Sequence, residues 1–374
     1  MTNDKLRGLQ LRSLATADGR LELSLQESAI DEPKSDEVVV RVEAAPIHPS
    51  DIGLLLGPVD LASLEMEGSA DRSITSGKIL PERLPMLTPR MGLSMPVGNE
   101  GAGTVIKAGS DASALLGNRV ALAAGAMYSQ YRLVSADQCL VLPDDVSSVE
   151  GAAAYVNPLT ALSLTDTMRL DGHKALVHTA AASTLGQMLV RICQSDGIPL
   201  VNIVRSAEQV TLLRNIGAQY VIDSTSPDFM AELTDAIAAT GATVAFDAVG
   251  GGPLASQILA AMEAVLSRDA AYSRYGSTTH KQIYIYGGLD IRPITIDRAA
   301  AGMYWGVDSF MLGMFLEKVG LEGRRRLETR IAAELKTTFA TSYTATISLA
   351  EALLPDNLAR IARRATGEKF LITP

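Results

Sequence analysis

The sequence of 374 residues is poor in several residue types that often indicate a function. It has two cysteines, Cys139 and Cys193, and a single tryptophan. Two cysteines cannot build a disulfide framework or the four-thiolate cage of a structural zinc site. No apolar run is long enough for a transmembrane helix, and residues 1–14 lack the apolar segment of a secretory signal. A cytoplasmic protein that does not bind membranes is therefore expected.

Positive charge is also scarce. The chain has 33 Lys and Arg residues against 42 Asp and Glu residues, for a formal net charge of −9. Nucleic-acid binding needs a basic face, so this balance argues against a nucleic-acid partner. The remaining composition, 47% hydrophobic and 20% charged, is typical of a soluble globular protein whose length suggests two domains.

The first 150 residues are predicted to be rich in short strands, which favours a barrel or folded sheet. Alternating or glycine-punctuated apolar runs predict strands within Gly19–Ser28, Asp36–Ala45, Val97–Ser110 and Asn118–Gly125. The pattern is lost in the stretch 57–96, where only a short helix at Leu61–Glu67 is suggested. A loop this long is usually functional or disordered.

From about Val156 strands and helices alternate, which predicts a parallel sheet covered by helices. The predicted strands are Ala175–Val177, Ile198–Val204, Tyr220–Ile222, Ala242–Phe246 and Gln282–Tyr286. The predicted helices between them are Leu185–Ser195, Ala207–Ile216, Pro227–Ala239 and Pro253–Ser267. In the tail, helices are predicted at Arg324–Leu335 and Leu349–Ala365, followed by a strand at Lys369–Ile372.

The turn after the first of these strands lies where a dinucleotide-binding fold has its glycine-rich loop. The segment VHTAAASTLGQMLVRI (Val177–Ile192) contains one glycine, Gly186, which suits the close packing of helix on strand. Ser183 and Thr184 can cap the helix or donate hydroxyl groups to a phosphate, and a helix N-terminus attracts anions. Taken alone, the segment is equally compatible with an ordinary strand–turn–helix.

Its context favours a dinucleotide. Arg205 follows the second strand, at the distance where an acidic residue would bind the ribose of NAD. An arginine there suits the 2′-phosphate of NADP, and Ser206 can add a hydroxyl group; the alternative is a solvated arginine. Later strands end in FDAVGG and YIYGGL, where Gly250 and Gly287 are expected to leave room for a ligand at the carboxyl ends of the strands.

Together these residues resemble the medium-chain dehydrogenase/reductase superfamily, and most closely its zinc-independent branch of quinone oxidoreductases and 2-enoyl thioester reductases. The stretch 57–96 matches poorly. The other matching stretches are AAPIHPSDIGLLLG (Ala44–Gly57), VGNEGAGTVIKAGS (Val97–Ser110), NPLTAL (Asn157–Leu162), RSAEQVTLLRNIGAQYVID (Arg205–Asp223) and GEKFLIT (Gly367–Thr373).

The resemblance implies an α/β fold with a GroES-like β-barrel domain and a Rossmann doubly wound parallel sheet domain. The implied boundaries are 1–154 for the barrel domain, 155–334 for the NADP-binding domain and 335–374 for a return segment that completes the barrel domain. It also implies a homodimer or homotetramer. The cofactor would be NADPH, and the residues that the resemblance adds to its site are Asn157, Thr160, Tyr304, Trp305 and Lys369. Asn157 could instead start a helix, Trp305 could pack in the core, and Lys369 could be a surface charge.

The sequence argues against a catalytic zinc. Relatives that bind zinc have a cysteine in the region of His48 and a histidine where this chain has Asn99. His48 and Glu100 are too few ligands for a tetrahedral site.

The expected reaction is hydride transfer from NADPH to a quinone or an α,β-unsaturated carbonyl compound. The alternatives are a 2-enoyl thioester reductase and a cofactor-binding protein with little turnover. In the thioester reductases a tyrosine donates the proton, and its place here falls on Val59. His48 could donate to a substrate carbonyl or be a core histidine, and Tyr128 is an alternative proton donor.

Overall fold

The computed structural model describes residues 5–68 and 72–374. The chain divides into two compact units. The N-terminal unit comprises Met1–Val156 and Arg330–Pro374, and the central unit comprises Asn157–Thr329. Within the described ranges, no helix combines the length and the apolarity needed to cross a membrane.

The N-terminal unit is built from short strands, because its apolar residues alternate with polar ones. Its strands up to residue 141 are β1 (Arg7–Ala15), β2 (Arg20–Ala29), β3 (Glu37–Pro46), β4 (Glu65–Glu67), β5 (Ile74–Lys78), β6 (Ser94–Pro96), β7 (Gly101–Ala108), β8 (Arg119–Leu122), β9 (Tyr131–Ser135) and β10 (Cys139–Val141). Its helices are α1 (Pro49–Leu55) and α2 (Ser148–Gly151), with 3-10 turns at Leu61–Ser63, Pro81–Arg90, Ser110–Leu115 and Ala136–Gln138.

The following residues alternate between helix and strand. The helices are α3 (Val156–Leu170), α4 (Thr184–Asp196), α5 (Ala207–Asn215), α6 (Phe229–Thr240), α7 (Leu254–Leu266), α8 (Arg298–Ala301) and α9 (Leu312–Glu334), which is interrupted at Gly320. The strands are β11 (Leu176–His178), β12 (Leu200–Val204), β13 (Tyr220–Asp223), β14 (Val244–Asp247), β15 (Lys281–Ile285) and β16 (Trp305–Ser309).

The tail adds β17 (Ala345–Ser348), a 3-10 turn at Glu351–Leu353, α10 (Pro355–Ala362) and β18 (Phe370–Thr373). Strand β18 pairs with β3 in antiparallel orientation and with β17 in parallel orientation. The N-terminal unit therefore contains a five-stranded sheet, β4-β5-β2-β1-β6, and a seven-stranded sheet, β10-β8-β7-β3-β18-β17, in which β9 also pairs with β3.

The central unit contains one six-stranded parallel sheet in the order β13-β12-β11-β14-β15-β16. Numbered within the unit, this is the 3-2-1-4-5-6 order of a Rossmann sheet. Its core is aliphatic and includes Val177, Val201, Ile203 and Ile283, each no more than 1% exposed. Strands buried on both faces read as continuous apolar runs, and β12, with the sequence LVNIV, does so with one exception.

The predicted helices of the central unit agree with α4, α5, α6 and α7 to within two residues at each end. The helix predicted at Leu61–Glu67 is wrong: a 3-10 turn covers Leu61–Ser63, and Glu65–Glu67 is strand β4, which pairs with β5. The single helix predicted at Leu349–Ala365 is shorter, because Pro355 starts α10 after a separate turn. Within the stretch 57–96, which was expected to be a loop, residues 69–71 lie outside the described residues, and the rest forms β4, β5, β6 and 3-10 turns.

Candidate functional site

The carboxyl ends of the parallel strands bring several chemically important residues to one edge of the central unit. The residues that follow β11, β12, β14 and β15 are Thr179, Arg205, Ala248 and Tyr286. In sheets of this order, ligands bind beyond this carboxyl edge, at the point where the strand order reverses. Here that point lies between β11 and β14.

The turn from β11 to α4 is tight despite having a single glycine. Ala180 adopts a left-handed conformation with φ of +49°. A Cβ atom at Gly186 would lie 2.1 Å from the carbonyl oxygen of Ala181, which is closer than any side chain tolerates. Gly186 therefore lets the first turn of α4 pack against the loop, as the sequence suggested. The preceding positions close the turn with alanines.

Ser183 caps the helix that starts at this turn. Its Oγ accepts a hydrogen bond from the backbone N–H of Gly186 at 3.2 Å, and α4 then runs for 13 residues from Thr184. The first-turn N–H groups of a helix lack internal acceptors, and the helix dipole adds partial positive charge at that end. This turn can therefore hold an anionic group such as a pyrophosphate.

Arg205 directly follows β12 and is exposed. Its backbone N–H donates to Gln209 Oε1 at 3.0 Å, which holds the main chain at the start of α5. In the parts of the chain that the structure describes, its guanidinium group has no ion-pair or hydrogen-bond partner. Ser206 is the N-cap of α5, and its Oγ accepts from the backbone N–H of Gln209.

Gly250 and Gly287 have a different role from the one expected. A Cβ at Gly250 would lie 2.2 Å from the carbonyl oxygen of Gly287, and a Cβ at Gly287 would lie 2.3 Å from that of Ala248. The loops after β14 and β15 thus touch backbone to backbone. These glycines are needed for that loop packing, and the expectation that they open space for a ligand is corrected.

Asp247, which the sequence analysis did not single out, organises the end of β14. Its carboxylate accepts from Thr179 Oγ1 at 2.6 Å and from the backbone N–H groups of Val249 at 2.8 Å and Gly250 at 3.2 Å. Thr179 Oγ1 in turn accepts from the N–H of Ala248 at 2.9 Å. An aspartate followed closely by glycines at a strand end is a typical turn signal and could have been recognised.

A buried histidine–tyrosine pair lies at the same edge and was also missed. His178 Nε2 is 2.6 Å from the hydroxyl oxygen of Tyr286. Burial lowers the pKa of His178 to about 3, so the imidazole is neutral at physiological pH. Burial, together with the negative charge of Asp247, raises the pKa of Tyr286. This pair fixes the first side chain after β15.

Tyr304 and Trp305 do not lie at this edge. Trp305 is the first residue of β16 and pairs with Lys281, the first residue of β15. Since the two strands are parallel, Trp305 lies at the edge of the sheet where the strands begin. Strand β15 has five residues, so about 13 Å separates this edge from the carboxyl edge. Tyr304 is exposed and contacts the ring of His280 at 4.8 Å between centroids. The expectation that this pair lines the nicotinamide is therefore corrected.

Asn157 and Thr160 lie in the first turns of α3 and are partly buried. Pro158 also falls in the first turn, where a missing N–H removes no helical hydrogen bond. Asn157–Pro158 is thus part of a helix start, and a contact of Asn157 and Thr160 with the cofactor stays a prediction.

A separate cluster of buried polar side chains lies within the N-terminal unit. We call it the buried polar cluster; its members are His48, Asp51, Glu100, Tyr128, Tyr343 and Lys369. At its centre His48 Nε2 contacts Glu100 Oε1, and both side chains are almost fully buried. Glu100 Oε2 accepts from the backbone N–H groups of Tyr155 at 2.8 Å and Val156 at 3.0 Å. These bonds hold the carboxylate in one position.

Asp51 is the third residue of α1. Its Oδ2 accepts from the backbone N–H of His48 at 2.8 Å. Its Oδ1 is buried and finds no hydrogen-bond partner in residues 5–68 or 72–374. Burial raises the pKa of this carboxyl group, although the nearby His48 opposes the shift.

Tyr128 is placed poorly for proton donation. It is fully buried in the hydrophobic core, and its hydroxyl group donates to the carbonyl oxygen of Pro46 at 3.2 Å. Burial, with the negative charges of Asp51 and Glu100, raises its pKa well above the ordinary value. A tyrosine in this state packs the core, so the role suggested from the sequence is corrected.

Lys369 is 8% exposed, which corrects the alternative of a surface charge. Its Nζ is buried without a hydrogen-bond partner among the described residues and lies 5.6 Å from the ring centroid of Tyr343. Burial lowers its pKa to about 8, against the opposing effect of the charges on Glu100 and Asp51.

Metal ligands are few in this cluster. Across the described part of the chain, no three His, Cys, Asp or Glu side chains come together as a metal site would require. Asn99, in the place of the zinc-binding histidine, donates through Nδ2 to Ser50 Oγ at 2.9 Å.

The chain is similar to known oxidoreductases in sequence over part of its length. The model of a family described as zinc-binding dehydrogenase matches residues 184–284. The mitochondrial enoyl-[acyl-carrier-protein] reductase of Xenopus tropicalis is 31% identical over 208 residues, which are 54% of this chain and 51% of that protein. A quinone oxidoreductase of Pseudomonas aeruginosa is 30% identical over 168 residues, 44% of this chain and 52% of that protein. The chain thus spans about half the length of the curated relatives it matches.

Likeness in structure extends over the whole chain. One similar crystal structure is that of a Mesorhizobium loti protein assigned as an NADPH:quinone reductase. The two sequences are 26% identical, and the two structures superpose with a TM-score of 0.71 over 100% of both chains. This likeness confirms the predicted fold class, a GroES-like barrel with a Rossmann sheet.

Proposed function

We propose that the chain is a member of the medium-chain dehydrogenase/reductase superfamily, in its branch of quinone oxidoreductases and enoyl reductases, and that it is an NADPH-dependent oxidoreductase. Its substrate would be a quinone or an α,β-unsaturated carbonyl compound. We further propose that it works without zinc, since His48 and Glu100 pair with each other and Asn99 stands where a third ligand is needed.

The observation that carries this proposal is the arrangement at the carboxyl edge of the central sheet. The capped N-terminus of α4 and the exposed guanidinium group of Arg205, which has no partner among residues 5–68 and 72–374, follow the adjacent strands β11 and β12. The first suits a pyrophosphate and the second a 2′-phosphate. An anionic ligand with two phosphate positions fits this edge better than a neutral one.

When NADPH is bound there, its nicotinamide supplies the hydride. The chain's own residues orient and hold it. Ser183 and Thr184 would contact the pyrophosphate beside Gly186, and Arg205 with Ser206 would bind the 2′-phosphate. Asp247 keeps the loop after β14 in shape through its bonds to Thr179, Val249 and Gly250. Such preorganisation lets the site hold the cofactor in one geometry without rearrangement.

The first alternative is a 2-enoyl thioester reductase, which would need a proton-donating tyrosine and basic residues for the carrier phosphates. The position of the tyrosine is taken by Val59, a buried side chain in the core. The guanidinium group of Arg90 makes structural hydrogen bonds instead: Nη1 donates to the carbonyl oxygen of Leu54 at 2.9 Å and to Ser13 Oγ at 3.3 Å. These two features favour the quinone or simple enone substrate. Arg83, also in the stretch 57–96, is exposed and could contact such a phosphate.

The direct test is NADPH oxidation, followed at the absorbance of the reduced nicotinamide. We expect turnover with 1,4-benzoquinone or a small enone, and slower turnover with a crotonyl thioester. Preference for the thioester would favour the first alternative. Tight NADPH binding in calorimetry without oxidation by any of the three acceptors would favour the second, a cofactor-binding protein with little turnover.

We also propose a cytoplasmic homodimer or homotetramer that acts on a small molecule and binds neither nucleic acid nor membranes. Strand β16 is an open edge of the central sheet, and the exposed apolar side chains Ile291, Met303 and Met311 lie in the chain near it. Edge strands are usually paired or covered. Light scattering after gel filtration should therefore give at least twice the 39.5 kDa of one chain, and a monomeric mass would contradict this.

A further inference from the structure

A cavity of about 510 Å³ lies wholly within the central unit. It is lined by the end of α7, by part of the segment 267–280 and by the short helix α8 with the residues that follow it. We call the segment 267–280 the α7–β15 loop. Lys281 and Trp305, the first residues of β15 and β16, come shortly after two of these lining segments. The cavity is therefore at the edge where the parallel strands begin, and the hydride-transfer proposal has no use for it.

Glu263, a buried carboxylate in the last turn of α7, forms one wall of the cavity. Lys281 Nζ, which is also buried, donates to Glu263 Oε2 at 2.5 Å. Ser267 Oγ donates to Oε1 at 2.6 Å. Ser277 donates to the same carboxylate through its backbone N–H and its Oγ, both at 2.7 Å. One carboxylate thus joins the start of the α7–β15 loop to its later part and to β15.

Two glycines let the backbone close around this carboxylate. Gly276 and Gly302 have φ of +81° and +68°. A Cβ atom would lie 2.5 Å from Glu263 Oε1 at Gly276 and 2.9 Å from Glu263 Oε2 at Gly302. The hydrogen bonds to the carboxylate keep it from moving aside. The N–H of Met303 also donates to the carbonyl oxygen of Tyr275 at 3.0 Å, so the loop and the residues after α8 are held together and the shape of the cavity is fixed.

The charges around the cavity leave an excess of positive charge. Burial acts to raise the pKa of Glu263, but the hydrogen bonds from Lys281 and the two serines lower it to about 2, so the carboxylate is ionised at neutral pH. The ammonium group of Lys281 balances this charge. The cavity wall also contains the exposed residues Arg274 and Arg298. Arg274 Nη2 donates to the hydroxyl oxygen of Tyr275 at 2.5 Å, and among residues 5–68 and 72–374 neither guanidinium group pairs with a carboxylate. Such a wall favours an anionic ligand.

We propose that this cavity binds a phosphorylated organic molecule, with its phosphate on the guanidinium groups of Arg274 and Arg298 and its apolar part against Tyr275 and Met303. Guanidinium groups pair with phosphate oxygens through charge-assisted hydrogen bonds, and two of them suit a doubly charged phosphate better than a single carboxylate. The volume lies within the range of about 300–1,000 Å³ of small-molecule sites, so an inorganic ion alone would leave most of it unfilled. Tyr275 and Met303, which are 56% and 58% exposed, supply apolar surface for the rest of the ligand.

This site is separate from the proposed cofactor site, so the inference does not rest on the proposed function. Arg205 and the start of α4 lie at the carboxyl edge of the sheet, and the cavity lies beyond the start of β15. The five residues of β15 separate the two edges by about 13 Å. A ligand in the cavity would therefore be bound in addition to NADPH and would not replace it.

The test is calorimetric titration of the full chain with phenyl phosphate, which carries one phosphate and one ring. We expect a single site with a Kd below about 1 mM, and an affinity that falls by about tenfold or more in Arg298→Ala and in Arg274→Ala. Arg268→Ala is the matched control, because Arg268 is an exposed arginine of the same loop that lies outside the cavity lining. Its removal should change the affinity by no more than about twofold at moderate salt.

A second variant fills the cavity without changing its charge. Ala299 is an exposed residue of α8 that lines the cavity, so a larger side chain there should leave the fold intact. Ala299→Trp should abolish the binding of phenyl phosphate while the midpoint of thermal unfolding stays that of the wild type. Wild-type affinity in Ala299→Trp would show that the probe binds elsewhere and would overturn the inference.

The remaining outcomes separate this site from the cofactor site. Binding that persists in Arg205→Ala and under excess NADPH supports the inference, whether or not NADPH is oxidised. Loss of binding in Arg205→Ala, or displacement of the probe by NADPH, would place phenyl phosphate at the carboxyl edge and overturn it. Equal weakening in Arg268→Ala would reduce the effect to general positive charge, with the same consequence. Inorganic phosphate that binds as tightly as phenyl phosphate, or no binding of phenyl phosphate up to about 10 mM, would also contradict the proposal.

Discussion

Replacing Arg205 with alanine is expected to weaken NADPH binding by about 10- to 100-fold, because each hydrogen bond to a charged group contributes about 1.5–3 kcal/mol. NADH binding should change little, since NADH lacks the 2′-phosphate. The guanidinium group has no partner in the described residues, so its removal breaks no structural contact. Calorimetric titration of both cofactors into wild type and variant measures the two affinities.

Arg214→Ala is the matched control for Arg205→Ala. Arg214 is an exposed arginine on α5, the helix that follows Arg205. Its removal lowers the net positive charge of the same region without touching the strand end, so both affinities should stay within about twofold of wild type at moderate salt. Equal loss of NADPH and NADH affinity in Arg205→Ala, or equal loss of NADPH affinity in both variants, would remove Arg205 from phosphate recognition.

Replacing Gly186 with alanine is expected to lower the free energy of unfolding by about 1–3 kcal/mol and to weaken both cofactors by tenfold or more. The added Cβ would stand 2.1 Å from the carbonyl oxygen of Ala181, and a backbone atom cannot move aside as a flexible side chain can. The turn and the first N–H groups of α4 would shift together. Chemical denaturation measures stability, and calorimetry measures binding.

Gly313→Ala serves as the control for this substitution. Gly313 lies near the start of α9, and a Cβ there would meet no atom within 4 Å. It should therefore be neutral or slightly stabilising, because alanine restricts the unfolded chain more than glycine does. If Gly186→Ala matched this control in both stability and affinity, the β11–α4 turn would be looser than described and would not be the pyrophosphate site.

The sequence alone was sufficient for the strands β11 to β15, the helices α4 to α7 and their order along the chain. Helices α4 to α7 follow from an apolar period of 3.6 residues, and the alternation with strands implies a parallel sheet. Once the sheet is parallel, residues that follow its strands share one edge, so Arg205 and Ser183 could be assigned to that edge without coordinates. These inferences hold because they depend only on local periodicity and chain order.

The tertiary structure decided what depends on register and close packing. Trp305 looked like a site residue, but the parallel pairing of β16 with β15 puts it at the opposite edge. Gly250 and Gly287 were expected to leave space for a ligand, but the loops after β14 and β15 pack backbone to backbone at these residues. Lys369 comes close enough to interact electrostatically with Glu100 and Asp51 only because β18 returns to pair with β3. Local sequence encodes which element forms. Contacts between segments that are distant in the chain decide which side chains meet and how far each is buried, and no local sequence pattern records those contacts.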